Sequence, residues 1–213
     1  MDEHLLRFDK NKTLVFVDCE TLNLCLNFCH NIPWQVAMLK CQGDNIIDGK
    51  DAYLKWQTDL KISKDAAKIT KYDPRNIQKH GIDPKAFFPT LRDWLENADY
   101  IIGHNILGFD LYLLSEYYKF MNMKPYDFLS KAIDTNLIYK GIKTSNAFDP
   151  KKESLPEYMY KLYHTRVKNI RTNLTAAGKD LDINHDYDSL HNALSDLELN
   201  FKVWNKIKHM VNI

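Results

Sequence analysis

The chain has 213 residues, 45% hydrophobic and 12% aromatic, enough for a substantial core, which excludes a disordered protein. Its 29 basic and 28 acidic residues leave a formal charge of +1, which excludes a histone-like polycation but not a local cationic groove for nucleic acid. The longest stretch without Asp, Glu, Lys or Arg, Thr21 to Leu39, contains three Asn, a His, a Pro and a Gln and is not a membrane span. The opening MDEHLLRFDK is acidic where a signal peptide is basic, so a cytoplasmic protein with reduced thiols is expected. Cys25, Cys29 and His30 find no second Cys/His pair at zinc spacing, and the four cysteines (Cys19, Cys25, Cys29, Cys41) read as small buried hydrophobes.

In chain order, Thr13 to Asp18 (TLVFVD) is β-branched and aromatic, too short for a helix, and predicts a buried strand. Trp34 to Cys41 predicts a second strand, and the Gln42-Gly43-Asp44-Asn45 turn leads to a third at about residues 46–56. Strands this closely joined are expected to be antiparallel neighbours. Ser63 to Ala67 looks like a capped helix start, and Phe87, Leu91, Trp94 and Leu95 recur at helical spacing. Tyr100 to Ile102 predicts a short strand ending at Gly103, followed by a helix over Leu107 to Met121. Ala132 to Asp134 predicts a fifth strand before another short helix, and Ser154-Leu155-Pro156-Glu157 opens a further one. From Leu190 to Ile207, apolar residues step by three and four, the mark of an amphipathic helix. A meander followed by strand–helix units predicts an α/β fold, a mixed sheet with helices packed against it.

Three places carry chemistry. Asp18 and Glu20 end the first strand and, two residues apart, face the same way. Two such carboxylates repel each other unless a cation lies between them, and an all-oxygen site suits magnesium or manganese. Alone, the pair reads more readily as a solvated strand end. Gly103-His104-Asn105 follows a strand and leads to Asp110 near a helix start, where an acid also suits the helix dipole. His191 and Asp196 lie at the start of the last helix, about 140° apart around an ideal one. To serve one site, His191 must lie in the first turn or just before it.

In that order and on those elements, Asp18/Glu20, Asp110 and His191/Asp196 resemble the three motifs of the DEDDh, DnaQ-like 3′→5′ exonucleases, across about residues 12–205. His80-Gly81-Ile82 ahead of a helix, Trp94-Leu95 before Tyr100 to Asn105, and Asp134-Thr135 opening a helix also match. Two features depart from the family. Asn105 to Asp110 is one residue longer than in many members, and Leu22-Asn23-Leu24 stands where many have Thr-Gly. Asn192, where the tyrosine branch has Tyr, and His191 at a spacing of five assign the histidine branch.

The resemblance implies an RNase H-like mixed five-stranded sheet, with the first three strands antiparallel, the fourth and fifth parallel, and helices on both faces. It implies one domain over residues 1–213. It implies a two-metal phosphodiester hydrolase that releases nucleoside 5′-monophosphates from 3′ ends, with two Mg2+ that Mn2+ can replace. Asp18 would bridge both ions, Glu20 and Asp196 would complete the water-activating site, Asp110 would hold the second ion, and His191 would act as general base. Thr21, Leu22, His104, Asn105 and Phe109 are the candidates for seating the terminal nucleotide. The other readings are an oligoribonuclease-like trimming enzyme of the same chemistry and a proofreading subunit within a polymerase or replication assembly. Single-stranded 3′ ends, DNA slightly before RNA, are the expected partners.

Between Tyr158 and Lys179 there are five basic residues and no acid, Arg166, Lys168 and Arg171 among them, interleaved with Tyr158, Tyr160, Tyr163 and His164. Cationic charge with flat rings suits a single-strand track, and equally a solvated helix followed by a basic loop. The Leu22 to Asn31 segment, apolar in alternation, reads either as a wedge against terminal bases or as an extension of the sheet.

Overall fold

The computed structural model describes residues 5–24, 26, 31–58 and 61–213. Strand β1 (Thr13–Thr21) pairs antiparallel with β2 (Pro33–Gln42), which pairs antiparallel with β3 (Asn45–Tyr53). Helices α1 (Lys64–Ile69), α2 (Pro74–His80) and α3 (Pro84–Asn97) follow, then β4 (Tyr100–Gly103), α4 (Asp110–Phe120), β5 (Ala132–Asp134) and α5 (Thr135–Lys143). Helices α6 (Leu155–His164), α7 (Leu174–Asp180) and α8 (Ala193–Ile207) complete the order. Strand β4 runs parallel to β1 and β5 parallel to β4, giving the sheet order β3-β2-β1-β4-β5. This is the mixed five-stranded sheet expected from the sequence.

Alternation along β1 divides the core between two layers. Leu14 and Phe16 face α5, α6, α7 and α8, while Val15, Val17 and Cys19 face α3 and α4. Phe16 meets Phe201 of α8 edge to face at 5.3 Å, and Tyr117 of α4 is fully buried against Phe88. The buried set also reaches Leu6, Ile207 and Val211, beyond residues 12–205. Among the described residues, no helix is long and apolar enough to cross a membrane.

Several boundaries differ from expectation for local reasons. Strand β3 stops at Tyr53, and Leu54 beyond it makes an isolated bridge to Ile82. Helix α4 begins at Asp110, not Leu107, because Asn105 takes a left-handed φ of 66° and opens a turn. Helix α8 begins at Ala193, not Leu190; His191 has φ 67° and the Asn192 side chain caps the helix by accepting from Ser195 N–H. Helices α2 and α7 were not expected. Asp73 with Pro74 at the first turn starts α2, and Asn173 caps α7. The basic stretch to Lys179 is therefore a helix, a loop and a second helix, rather than a helix followed by loop alone. Cys19 and Cys41 are buried free thiols, whereas Cys25, Phe28, Cys29 and His30 lie outside the described residues.

Candidate active site

The C-terminal end of β1 lies at the centre of the sheet, where both helical layers reach it. Asp18 and Glu20 share the face covered by α8, and α8 brings Asp196 to them from its first turn. One carboxylate oxygen from each of Asp18, Glu20 and Asp196 lies within 4.8 Å of the others. The strand is irregular between Glu20 and Thr21, a bulge that ends regular pairing beside the cluster. Glu20 is 8% exposed.

Asp110 arrives from the opposite layer at the first residue of α4 and is buried at 3% exposure. Its Oδ1 accepts from the backbone N–H of Cys19 at 2.9 Å, the residue between Asp18 and Glu20. Asp110 is thus tied to β1 although it is outside the tight trio.

Four carboxylates crowd here, and among the described residues none is in an ion pair. Burial, then the charges of Asp110, Asp196 and Glu20, holds the Asp18 carboxyl well above the usual range. Burial and the charges of Asp196 and Asp110 push Glu20 up to about 8. Asp110 rises to about 8 by burial, against the opposing bond from Cys19. Asp196 rises to about 6 by burial, opposed by the His191 N–H and the Lys71 charge. Buried and half-buried oxygen-only donors with no ion-pair partner are what hard divalent cations take, so the set could hold a metal ion.

His191 is exposed and directly precedes the cap of α8, with its N–H donating to Asp196 Oδ2 at 3.1 Å. Sequence reasoning missed what holds that turn. Lys71, from the α1–α2 turn, donates to the carbonyls of Asp188 at 2.7 Å and Leu190 at 2.9 Å.

The remaining candidates divide. Thr21 and Leu22 are buried beside the cluster; Thr21 Oγ1 donates to Asn31 Oδ1 at 2.5 Å, and Leu22 packs with Ile32 and Trp34. Leu24 is exposed, and Leu26 packs on the α3–α4 layer. Asn105 is exposed on the turn before Asp110, and Phe109, half-buried, packs on the α4 layer. A Cβ on Gly108 would come within 2.7 Å of Asn105 Oδ1, so a larger residue there would make that exposed side chain shift. His104 has both ring nitrogens engaged, Nδ1 with Thr135 Oγ1 and Nε2 donating to Thr172 O, each at 3.0 Å. Burial pushes it down to about 4, so it is neutral near pH 7. Arg166, Lys168 and Arg171 are exposed on the loop between α6 and α7, which His104 anchors through Thr172.

Asp134 was legible only as the end of the fifth strand and the start of a helix. It is fully buried and accepts from the N–H groups of Asn105 and Leu107 as well as from Asn136 and Leu137. One carboxylate thus caps α5 and pins the turn that leads into Asp110.

Sheet order and helix placement define an RNase H-like fold. No protein-family model and no curated protein matches the chain. Among solved structures it is similar to exonuclease I. The zinc-bound Escherichia coli exonuclease I–single-stranded DNA complex gives a TM-score of 0.74 at 19% identity, covering 94% of this chain and 41% of that one. The E. coli enzyme with a 5cy-dT13 oligonucleotide gives 0.71 at 18%, covering 94% and 41%, and another exonuclease I structure gives 0.73 at 19%, covering 93% and 41%. The chain thus spans about two-fifths of exonuclease I.

Proposed function

We propose that this chain is a metal-dependent 3′→5′ exonuclease of the histidine branch, acting on single-stranded DNA and releasing nucleoside 5′-monophosphates. The observation that carries the reading is the meeting of Asp18, Glu20 and Asp196 oxygens within 4.8 Å, with Asp110 fastened to the same strand end. These acids come from three distant segments of an RNase H-like fold. The exonuclease I complexes with single-stranded DNA support the choice of substrate.

Asp18, Glu20 and Asp196 would hold one divalent ion, with Asp18 shared towards a second held beside Asp110. Two such ions would supply charge neutralisation and an acidified water for attack on a phosphodiester. Asp196 fixes the His191 backbone, and the exposed His191 imidazole is free to swing to the attacking water and take its proton. Leu22 and Phe109 would seat the terminal nucleotide, with Thr21 and Asn105 offering polar contacts. His104, with both ring nitrogens committed, supports the substrate side by holding Thr172 and the basic loop.

Digestion of 5′-labelled single-stranded DNA and RNA, in magnesium and in chelator, tests this. A ladder shortened from the 3′ end in magnesium and absent in chelator is expected, with DNA cut faster than RNA. An unchanged ladder in chelator, or none under either condition, overturns it.

A further inference from the structure

Helix α6 carries two apolar stripes, and the fold uses only one. Tyr158, Met159 and Leu162 are buried in the core. On the opposite side, Tyr160, Tyr163 and His164 stand at 66% exposure, 48% exposure and in the open, respectively. Their rings touch one another: Tyr160 and His164 are 4.5 Å apart between centroids, and Tyr163 and His164 are 5.2 Å apart. A helix needs one apolar face to fold, so a second, exposed aromatic face marks a contact surface.

Two cavities flank these rings. One, of about 630 Å³, lies between them, Leu107 and Leu129. The other, of about 520 Å³, shares Tyr163 and is lined by Lys140, Arg166, Lys168 and Thr172. Lys140 is occupied closing the helix end, donating to Leu162 O and Thr165 O, whereas Arg166 and Lys168 are in no ion pair among the described residues. The first cavity reaches the turn before Asp110, and the second is bound to it through Thr172. Leu107 belongs to that turn, and Thr172 is held by His104 at 3.0 Å.

We infer that the outer face of α6 and the basic loop after it form a second binding site for single-stranded nucleic acid, engaging nucleotides upstream of the cleaved end. Bases stack on Tyr160, Tyr163 and His164, and phosphates lie against Arg166 and Lys168. Charge selects this occupant: the second cavity presents cations and no acid, which complements a polyanion rather than an apolar partner. The strand's direction towards Asp110 rests on the nuclease reading; the binding itself does not.

The test is fluorescence anisotropy of a labelled oligo-dT strand in chelator, where no cleavage is expected. The Tyr160→Ala/Tyr163→Ala variant should bind about tenfold or more weakly, while Tyr160→Phe/Tyr163→Phe keeps wild-type affinity. Arg166→Ala/Lys168→Ala should lower the slope of log affinity against log salt by about 1.4. Thermal melts confirm folding of these exposed-site variants. Wild-type affinity in the double Ala variant overturns the proposal, as does sedimentation showing a wild-type dimer that the same substitutions dissolve. A protein that binds through this face yet cuts nothing in magnesium leaves the site standing and sinks the nuclease reading.

Discussion

The His191 backbone N–H donates to Asp196 Oδ2 at 3.1 Å, joining the proposed base to a proposed metal ligand within one turn. The turn has a left-handed residue at its centre and is held from outside by Lys71, which bonds the carbonyls of Asp188 and Leu190. On the proposed mechanism Lys71 is therefore a positioning residue. Lys71→Ala should lower kcat about tenfold with KM nearly unchanged, the scale of a charged hydrogen bond, and Lys71→Arg should recover much of it. Steady-state kinetics check this; a loss confined to KM contradicts it.

His191 touches no ligand cluster with its imidazole, so its removal separates proton transfer from ion binding. His191→Ala is expected to cut turnover by about 10²- to 10⁴-fold while calorimetry shows ion binding close to wild type. Unchanged turnover removes His191 from the role of base.

The acidic cluster has a cost that depends on pH. Glu20 and Asp110 titrate near 8 in the fold, far above their range near 4 in an unfolded chain. As pH rises, the unfolded chain gives up its protons first, so stability falls until the folded groups also ionise. His104 acts in the opposite sense, because its folded value of about 4 lies below its unfolded one, and its effect is complete above about pH 6.5. Between about pH 6.5 and 8 the carboxylates alone decide the slope. The melting temperature in chelator should fall across that window, and excess magnesium should restore more at the upper end. A flat or rising profile in chelator contradicts the crowding of unpaired acids.

Much of this was legible in the chain. The two-residue period of β1 places Asp18 and Glu20 on one face, and the three-and-four stepping of α8 identifies the helix that delivers Asp196. What was not legible depended on tertiary partners. No local pattern shows that Lys71 reaches a turn more than a hundred residues away, or that Thr172 closes on His104. Asp134 carries a helix-cap signal, but its second task, pinning Asn105 and Leu107, needs the parallel pairing of β4 with β5. The starts of α4 and α8 were misplaced because left-handed Asn105 and His191 interrupt apolar spacing that itself continues through them.

The central claim is most directly tested by titrating Mn2+ into the wild-type protein and Asp18→Asn near neutral pH, with thermal melts of both in chelator. Saturable binding is expected in the wild type and at least about tenfold weaker in the variant, which loses the shared ligand. The variant should also melt a few degrees higher without ions, since about 1 kcal/mol of relieved repulsion shifts a domain of this size by about 2–4 °C. Superimposable isotherms for the two proteins, or no saturable binding in the wild type, would contradict the account.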